Sequence, residues 1–135
     1  MITVDTAVNT AIETVWKHWI DTESIKKWNH ASDDWICPEA TNNFKAGGQF
    51  SYTMSAKDGS ASFSFEGRYT KIEQLKIIEF TLADNRKVSV EFEKVDDHNT
   101  IVTETFETEE TNTVDKQREG WQAILNNFRI LCEET

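Results

Sequence analysis

Apolar and polar residues alternate through the middle of the chain, which is the pattern of β-strands with one buried face. Phe50, Tyr52 and Met54 are separated by single polar residues, and similar segments recur as far as Phe106. Short polar turns such as Asp58-Gly59 separate these segments. Connections of this length join neighbouring strands in opposite directions, so an antiparallel sheet is predicted.

The end of the chain predicts one long amphipathic helix, from Val114 to Cys132. Its predicted inward stripe, with spacings of three and four residues, consists of Val114, Arg118, Trp121, Leu125, Phe128 and Cys132. Gly120 lies within this stripe, although glycine costs about 1 kcal/mol relative to alanine inside a helix. Two explanations are open: close packing of the helix on the sheet, or space for a ligand beside the Trp121 ring.

Two shorter helices are predicted between a first strand, Ile2–Ala7, and the strands that follow. The segment Thr10–Glu13 has the pattern of a capping box, which predicts the start of the first helix. Thr22 is the predicted cap of the second helix, which ends near Trp28. Beyond it, the irregular segment Trp35–Phe44 contains the only proline, Pro38, which favours a sheet edge or a bulge.

These elements predict a single α+β domain over residues 1–135, with a curved antiparallel sheet of six to seven strands. Such a sheet has one polar face, and the long C-terminal helix is the natural cover for the other. A sheet of this size twists and curls. A cavity therefore remains between sheet and helix unless side chains fill it.

Charge and composition narrow the range of partners. The formal net charge of −10 repels phosphate backbones and anionic lipids, so neither nucleic acid nor a membrane is expected as a partner. No apolar run approaches the roughly 18 residues that span a bilayer, and no secretory signal is visible at the N terminus. The two cysteines, Cys37 and Cys132, do not suggest a disulfide framework, so we expect a cytoplasmic protein with reduced thiols.

The apolar face of the predicted sheet is rich in aromatic residues. The strand side chains expected on it are Phe50, Tyr52, Phe63, Phe65, Tyr69, Phe80, Phe92 and Phe106, facing Trp121, Leu125 and Phe128 of the long helix. Two interpretations are open: these rings fill a core, or a subset of them lines a pocket for an apolar ligand. Tyr52, Tyr69 and the Trp121 indole would supply the polar groups of such a pocket.

Glu104 is a charged residue at a position predicted to face inward. It shares one face of the last strand with Val102 and Phe106, and burial there raises the pKa of a carboxyl group unless a cation lies nearby. Arg118, on the predicted inward stripe, is a candidate partner. Glu104 is thus a candidate polar anchor or acid in the cavity. The alternatives are a structural ion pair, or a bulge that turns Glu104 to solvent.

No motif indicates a metal, a cofactor or a catalytic nucleophile. His18, His30 and His98 fall on a helix, a loop and a turn, without ligand spacing among themselves or with the cysteines. The G-x-S-x-G, P-loop and G-x-G-x-x-G patterns do not occur. We therefore predict no bound metal and no cofactor, and we expect a binding protein rather than an enzyme.

Short motifs along nearly the whole chain carry a family resemblance. They are Val15-Trp16, Trp28, the segment 44–50, Asp58-Gly59, Gly67-Arg68-Tyr69, Asn99-Thr100 and Gly120-Trp121. With them the chain resembles the helix-grip (SRPBCC) superfamily of START lipid-transfer domains, polyketide cyclases and the birch-pollen allergen. Within it, the chain is most similar to relatives of the activator of the Hsp90 chaperone ATPase. The resemblance implies a curved sheet wrapped around the C-terminal helix, but it leaves function open because the superfamily hosts several activities.

Three functional hypotheses follow. The one we prefer is the binding of a small hydrophobic ligand between the sheet and the final helix. The second, implied only by the resemblance, is a stress-response regulator that binds a chaperone. The third is an enzyme of the cyclase or hydrolase type that uses Glu104 and a tyrosine as acid and base. An uncovered sheet edge permits a homodimer as well as a monomer.

Overall fold

Seven antiparallel strands form one curled sheet, with a long helix at the C-terminal end of the chain. The computed structural model describes residues 1–134. In chain order the elements are β1 (Ile2–Val8), α1 (Ile12–Ile20), α2 (Thr22–Trp28), β2 (Trp35–Asn42), β3 (Gln49–Ala56), β4 (Ser62–Glu73), β5 (Ile77–Leu82), β6 (Lys87–Asp96), β7 (Asn99–Phe106) and α3 (Val114–Glu133). The predicted α+β helix-grip architecture is confirmed.

The strands lie in the order β1-β7-β6-β5-β4-β3-β2, so β1 and β2 are the two edges of the sheet. The pairing of β2 with β3 shifts register between Ile36 and Glu39, on either side of Pro38. Proline has no N–H to donate to a neighbouring strand, so it is tolerated at an edge or at a bulge. Both features predicted around Pro38 are therefore present.

Strand β7 pairs with β1 on one side and with β6 on the other. Every second residue of β7 is buried: Thr100, Val102, Glu104 and Phe106. Because side chains of a strand point alternately to its two faces, all four lie on the inner side of the sheet. The predicted inward orientation of Glu104 is correct, and no bulge turns it to solvent.

Helix α3 approaches the backbones of β1, α2 and α1 most closely. Its buried residues are Gln117, Leu125, Phe128 and Cys132. The predicted inward stripe is wrong at the start of the helix, where Val114 and Arg118 are exposed and Gln117 is buried. Positions 117 and 118 both lie three or four residues before Trp121, so periodicity alone could not choose between them.

Thr113 begins α3, and its hydroxyl oxygen accepts a hydrogen bond from the Lys116 backbone N–H at 3.1 Å. Thr113 is therefore the N-cap of α3. The predicted capping box of α1 is wrong, because its N-cap is Ala11 without a side-chain hydrogen bond. Thr10 donates instead to the carbonyl oxygen of Cys132 at 3.1 Å. This contact ties the start of α1 to the end of α3.

Asp21, not the predicted Thr22, caps α2, and its carboxylate accepts a hydrogen bond from the Ser24 backbone N–H at 3.1 Å. At the end of α2, the Trp28 indole N–H donates to the carbonyl oxygen of His18 in α1 at 2.9 Å. The two short helices are thus joined into one unit beside α3. Within residues 1–134, no helix has the length and apolar character needed to cross a lipid bilayer.

Candidate functional site

A cavity of about 620 Å³ lies between α3 and the inner face of the sheet. The strands and their turns line it with Trp35, Phe50, Tyr52, Met54, Phe63, Phe65, Tyr69, Phe80, Arg86 and Glu104. The helices and the connections beside them contribute Trp19, Trp28, Asn29, Ala31, Glu109, Asn112, Lys116, Gln117, Gly120, Trp121, Ile124 and Leu125. The walls are mainly apolar, and ten of the 22 lining residues are aromatic.

Trp121 connects α3 with two strands that are not neighbours in the sheet. Its ring stacks on Phe106 of β7, with centroids 3.9 Å apart and planes inclined by 9°. The ring of Phe65 on β4 meets Trp121 nearly edge-on, at a centroid distance of 6.0 Å. Strands β6 and β5 lie between β7 and β4. Because Trp121 contacts both β7 and β4, the sheet must curl around the helix.

Phe50 is the centre of the aromatic wall opposite α3. Its ring lies 5.0 Å from Tyr52, 5.2 Å from Tyr69 and 5.1 Å from Phe80, measured between centroids. Gly67 on β4 makes room for this ring, because a Cβ atom there would lie 2.6 Å from the edge of Phe50. These contacts fix one side of the cavity as a continuous aromatic surface.

Two tyrosines form a polar chain within this wall. The Tyr52 hydroxyl donates to that of Tyr69, which donates to the Asn42 side-chain oxygen at 2.6 Å. The Asn42 amide donates in turn to the Ile20 carbonyl oxygen at 2.9 Å. Burial raises the pKa of Tyr69 to about 12 and that of Tyr52 well above its usual value. Both tyrosines therefore remain neutral at physiological pH.

Glu104 lies in the cavity with an uncompensated carboxyl group. The residue is 7% exposed, and burial alone raises its pKa to about 8. No other group of residues 1–134 bonds or pairs with the carboxyl. Among the buried and half-buried side chains described, every nitrogen or oxygen atom that is inaccessible to solvent has a hydrogen-bond partner. The Glu104 carboxyl oxygens have no such partner, so they are not fully enclosed. The Glu104 oxygens therefore open toward the cavity.

Gly120 leaves space on the helical side of the cavity. No heavy atom beyond its own helix backbone and neighbours lies within 4 Å of the position that a Cβ would take. Close packing of α3 on the sheet therefore does not explain this glycine, which removes one of the two explanations. A larger side chain at position 120 would project into the cavity.

Amide and charged side chains line the cavity near the start of α3. The Gln117 amide accepts from the Glu109 backbone N–H at 2.9 Å and donates to the carbonyl oxygens of Glu109 and Asn112 at 3.1 and 2.9 Å. These bonds fasten the connection between β7 and α3 over this end of the cavity. Arg86 forms an ion pair with Asp84 at 2.7 Å. Among residues 1–134, no group of three or more His, Cys, Asp or Glu side chains is arranged to hold a metal ion.

Trp35 and Phe63 form an apolar rim where the cavity meets solvent. Their ring centroids are 5.7 Å apart, and Phe63 is 54% exposed although it also lines the cavity. Exposure of a large ring beside a cavity marks a surface suited to an apolar molecule. This rim is one exposed part of the cavity lining.

Ten of the side chains predicted for the site line the cavity: Phe50, Tyr52, Phe63, Phe65, Tyr69, Phe80, Glu104, Gly120, Trp121 and Leu125. The structure brings them together from strands β3, β4, β5 and β7 and from α3. Their role in binding a ligand remains a prediction.

Three predicted positions do not line the cavity. Phe92 packs under α1, where the rings of Trp16 and Trp19 contact it at centroid distances of 5.0 and 5.9 Å. Phe106 is fully buried behind the Trp121 ring, which separates it from the cavity.

Arg118, the third of these positions, is half exposed and pairs with Asp115 at 3.7 Å. It lies on the solvent side of α3, because Gln117 occupies the inward position in that turn. Arg118 is therefore not the partner of Glu104, and the predicted ion pair is wrong.

Several residues of the cavity were not predicted from the sequence. Trp19 on α1 and Trp28 on α2 line the cavity, but nothing in the sequence indicated that these helices reach it. Lys116 and Ile124 could have been found, because each lies four residues from Gly120 and so shares its face of α3. Gln117 gives no sequence signal, since a polar residue in the first turn of a helix is ordinarily solvated.

A known protein family matches nearly the whole chain. The family model described as Activator of Hsp90 ATPase homolog 1-like protein matches residues 9–133. The chain belongs to this family. Among curated proteins, none matches the chain. The predicted family is confirmed, and with it the helix-grip fold.

Solved structures agree with membership of this Hsp90 ATPase activator-like family. The AHSA1-like protein from Aeromonas hydrophila is 37% identical, with 98% of this chain and 93% of that chain covered and a TM-score of 0.89. A protein from Cytophaga hutchinsonii is 47% identical, with 98% and 92% covered and a TM-score of 0.85. A protein from Chromobacterium violaceum is 16% identical, with 98% and 96% covered and a TM-score of 0.84, which shows a shared fold alone.

Proposed function

We propose that this protein binds a small, mainly apolar molecule in the cavity between the sheet and α3. The observation that carries the proposal is the cavity itself, with its volume of about 620 Å³ and its mainly apolar walls rich in aromatic rings. Ligand sites in proteins commonly enclose about 300–1,000 Å³ and combine apolar walls with a few polar groups. Protein interiors are otherwise closely packed, with few voids larger than a water molecule.

The polar groups in the cavity support binding of a specific ligand. Glu104 has no partner among residues 1–134, so its carboxyl group is available to a bound molecule. Tyr52 and Tyr69 are already joined to each other and to Asn42, which leaves them less free. A ligand with an apolar body and one polar group would match this arrangement.

Ligand uptake is tested most directly by filling the cavity from Gly120. Gly120→Leu places a side chain in the open space beside Trp121, whereas Glu119→Leu adds the same side chain at an exposed neighbour on α3. We expect the wild type and Glu119→Leu to bind the neutral fluorescent probe N-phenyl-1-naphthylamine. Gly120→Leu should bind it at least about tenfold more weakly while remaining folded by circular dichroism.

Native mass spectrometry of freshly purified protein provides an independent measurement. A small molecule retained by the wild type and Glu119→Leu, but not by Gly120→Leu, would support the proposal and reveal the ligand's mass. Equal probe affinity in all three proteins would contradict it, as would the absence of any uptake by the wild type.

The family description favours a second candidate, regulation of a chaperone ATPase. Such a protein would contact the chaperone through its outer surface, so its activity should not depend on the cavity. We expect purified Hsp90 to change its ATPase rate when the wild type is added, and equally with Gly120→Leu. An unchanged ATPase rate would remove this candidate without affecting the proposal of ligand binding.

A further inference from the structure

The carboxyl group of Glu104 has an unusual position for an ionisable side chain. It is more than nine-tenths buried, it opens to the cavity, and its strand neighbours Val4 and Val90 are apolar. The titratable groups that share the cavity with it are Tyr52, Tyr69, Arg86, Glu109 and Lys116. None of them perturbs the carboxyl, since desolvation is the sole cause of its shifted pKa.

An isolated carboxyl group in an apolar site is more stable with its proton than without it. Its pKa of about 8 means that Glu104 is mostly protonated at neutral pH. A protonated carboxyl group is a hydrogen-bond donor. Within residues 1–134 this donor has no acceptor, so a ligand that occupies the cavity is placed to supply one.

We propose that the ligand carries an uncharged oxygen acceptor, such as a ketone, ester or amide carbonyl, which accepts a hydrogen bond from the Glu104 carboxylic acid. This inference rests on the proposed function, because it defines the polar group of the same ligand. The apolar remainder of the ligand lies against the aromatic wall around Phe50 and beside Trp121.

Uncharged oxygen fits the site better than either kind of charged group. A ligand carboxylate would lose its hydration among aromatic rings. Of the two cations that line the cavity, the Arg86 guanidinium is already paired with Asp84, and Lys116 is exposed to solvent. An ammonium group would find aromatic faces and an acid, but both it and Glu104 would then be charged in an apolar site. A carbonyl oxygen satisfies the donor without burying any charge.

The test uses three probes with one naphthalene scaffold: 2-acetylnaphthalene (ketone), 2-ethylnaphthalene (hydrocarbon) and 1-(2-naphthyl)ethylamine (cation). Affinities are measured by isothermal titration calorimetry for the wild type, Glu104→Gln and Glu104→Leu. Gln retains a neutral donor of similar shape, whereas Leu removes it. Because the ketone and the hydrocarbon differ in hydration, the informative quantity is their affinity ratio compared between proteins.

We expect the ketone-to-hydrocarbon affinity ratio at about pH 6 to be about 3- to 10-fold higher in the wild type than in Glu104→Leu. The wild-type ratio should fall toward the Leu value at about pH 9, where Glu104 has lost its proton. Glu104→Gln should keep a raised ratio that does not change over this pH range.

Equal ratios in the wild type and Glu104→Leu would overturn the inference, and so would tightest binding of the amine to the wild type. In both cases binding of the hydrocarbon would still support the proposed function. If none of the probes binds and Gly120→Leu behaves like the wild type, the proposed function fails, and the inference fails with it.

Discussion

The indole of Trp121 lies flat on the ring of Phe106, with centroids 3.9 Å apart and planes inclined by 9°. This pair joins α3 to β7, while the ring of Phe65 on β4 lies 6.0 Å from Trp121, measured between centroids. Trp121 is thus a spacer between two parts of a curled sheet. Its stack fixes the position of the helix beside the cavity.

We expect this stack to contribute a measurable coupling energy. In a double-mutant cycle of Phe106→Leu and Trp121→Leu, the coupling free energy of unfolding should be about 0.5–1.5 kcal/mol. The measurement is urea unfolding followed by far-ultraviolet circular dichroism. A cycle of Phe106→Leu with Trp35→Leu serves as the control, because Trp35 contacts Phe63 instead. Additive effects for the Phe106–Trp121 cycle would contradict the prediction.

Gly67 and Gly120 should respond in opposite ways to substitution by alanine. Gly67→Ala would place a methyl group 2.6 Å from the Phe50 ring and 3.0 Å from the Thr81 carbonyl oxygen. We expect it to destabilise the protein by about 1–3 kcal/mol, because the ring must move. Gly120→Ala meets open space and removes the helical cost of glycine, so it should stabilise by up to about 1 kcal/mol.

Thermal and urea unfolding measure both effects, and each variant serves as the control for the other. Both substitutions add a single methyl group to a glycine, so a difference in sign isolates the local contact. Destabilisation by Gly120→Ala would show that position 120 lacks free space. No effect of Gly67→Ala would show that position 67 has room for a side chain.

Glu104 should make stability decrease as pH rises through the neutral range. Its pKa is about 8 in the folded protein and near the ordinary 4.5 when unfolded. The folded state therefore holds the proton more tightly, and the contribution is complete below about pH 4.5 and is lost as pH rises toward 8. Over this window the free energy of unfolding should fall by up to about 1.4 kcal/mol per pH unit.

Glu104→Gln separates this effect from the titration of other groups. We expect the difference in unfolding free energy between wild type and Glu104→Gln to change in favour of the variant between about pH 5 and about pH 8. Urea unfolding at a series of pH values measures it. A difference that does not vary with pH would mean that the carboxyl group has an ordinary pKa.

Strand faces could be predicted from the sequence because their alternation has a period of two. The burial of Glu104 followed directly from its position between Val102 and Phe106. A one-residue error would have moved every side chain of β7 to the other face, so the pattern left little freedom.

Phe92 shows what alternation cannot predict. It lies on the inner face as expected, but α1 covers this part of the sheet and the cavity does not reach it. Which part of an apolar face is packed and which stays open depends on where a distant helix settles. Trp19 illustrates the same point, because it contacts Phe92 and also lines the cavity.

Helix phase was the weakest part of the prediction, and Arg118 illustrates the reason. Spacings of three and four residues allow both 117 and 118 to precede Trp121, and both residues are polar, so the apolar pattern does not choose between them. Tertiary hydrogen bonds decide the matter, because the Gln117 amide reaches the connection between β7 and α3. Contacts of this kind leave no periodic signal.

Gln117 should therefore hold one end of the cavity closed. Gln117→Ala removes three hydrogen bonds to the backbone of Glu109 and Asn112. We expect a loss of about 1–3 kcal/mol in the free energy of unfolding. Amide hydrogen exchange should become faster in residues 107–113, because this connection loses its attachment to α3.

Gln122→Ala is the matched control, since Gln122 is also on α3 but its amide reaches Asp5 on β1 and Asn126 of the same helix. It should leave exchange in residues 107–113 unchanged. If the probe N-phenyl-1-naphthylamine enters through the rim at Trp35 and Phe63 alone, Gln117→Ala should not alter its association rate. A faster rate would show that the connection covers a second entrance, and unchanged exchange in Gln117→Ala would refute the role of this amide.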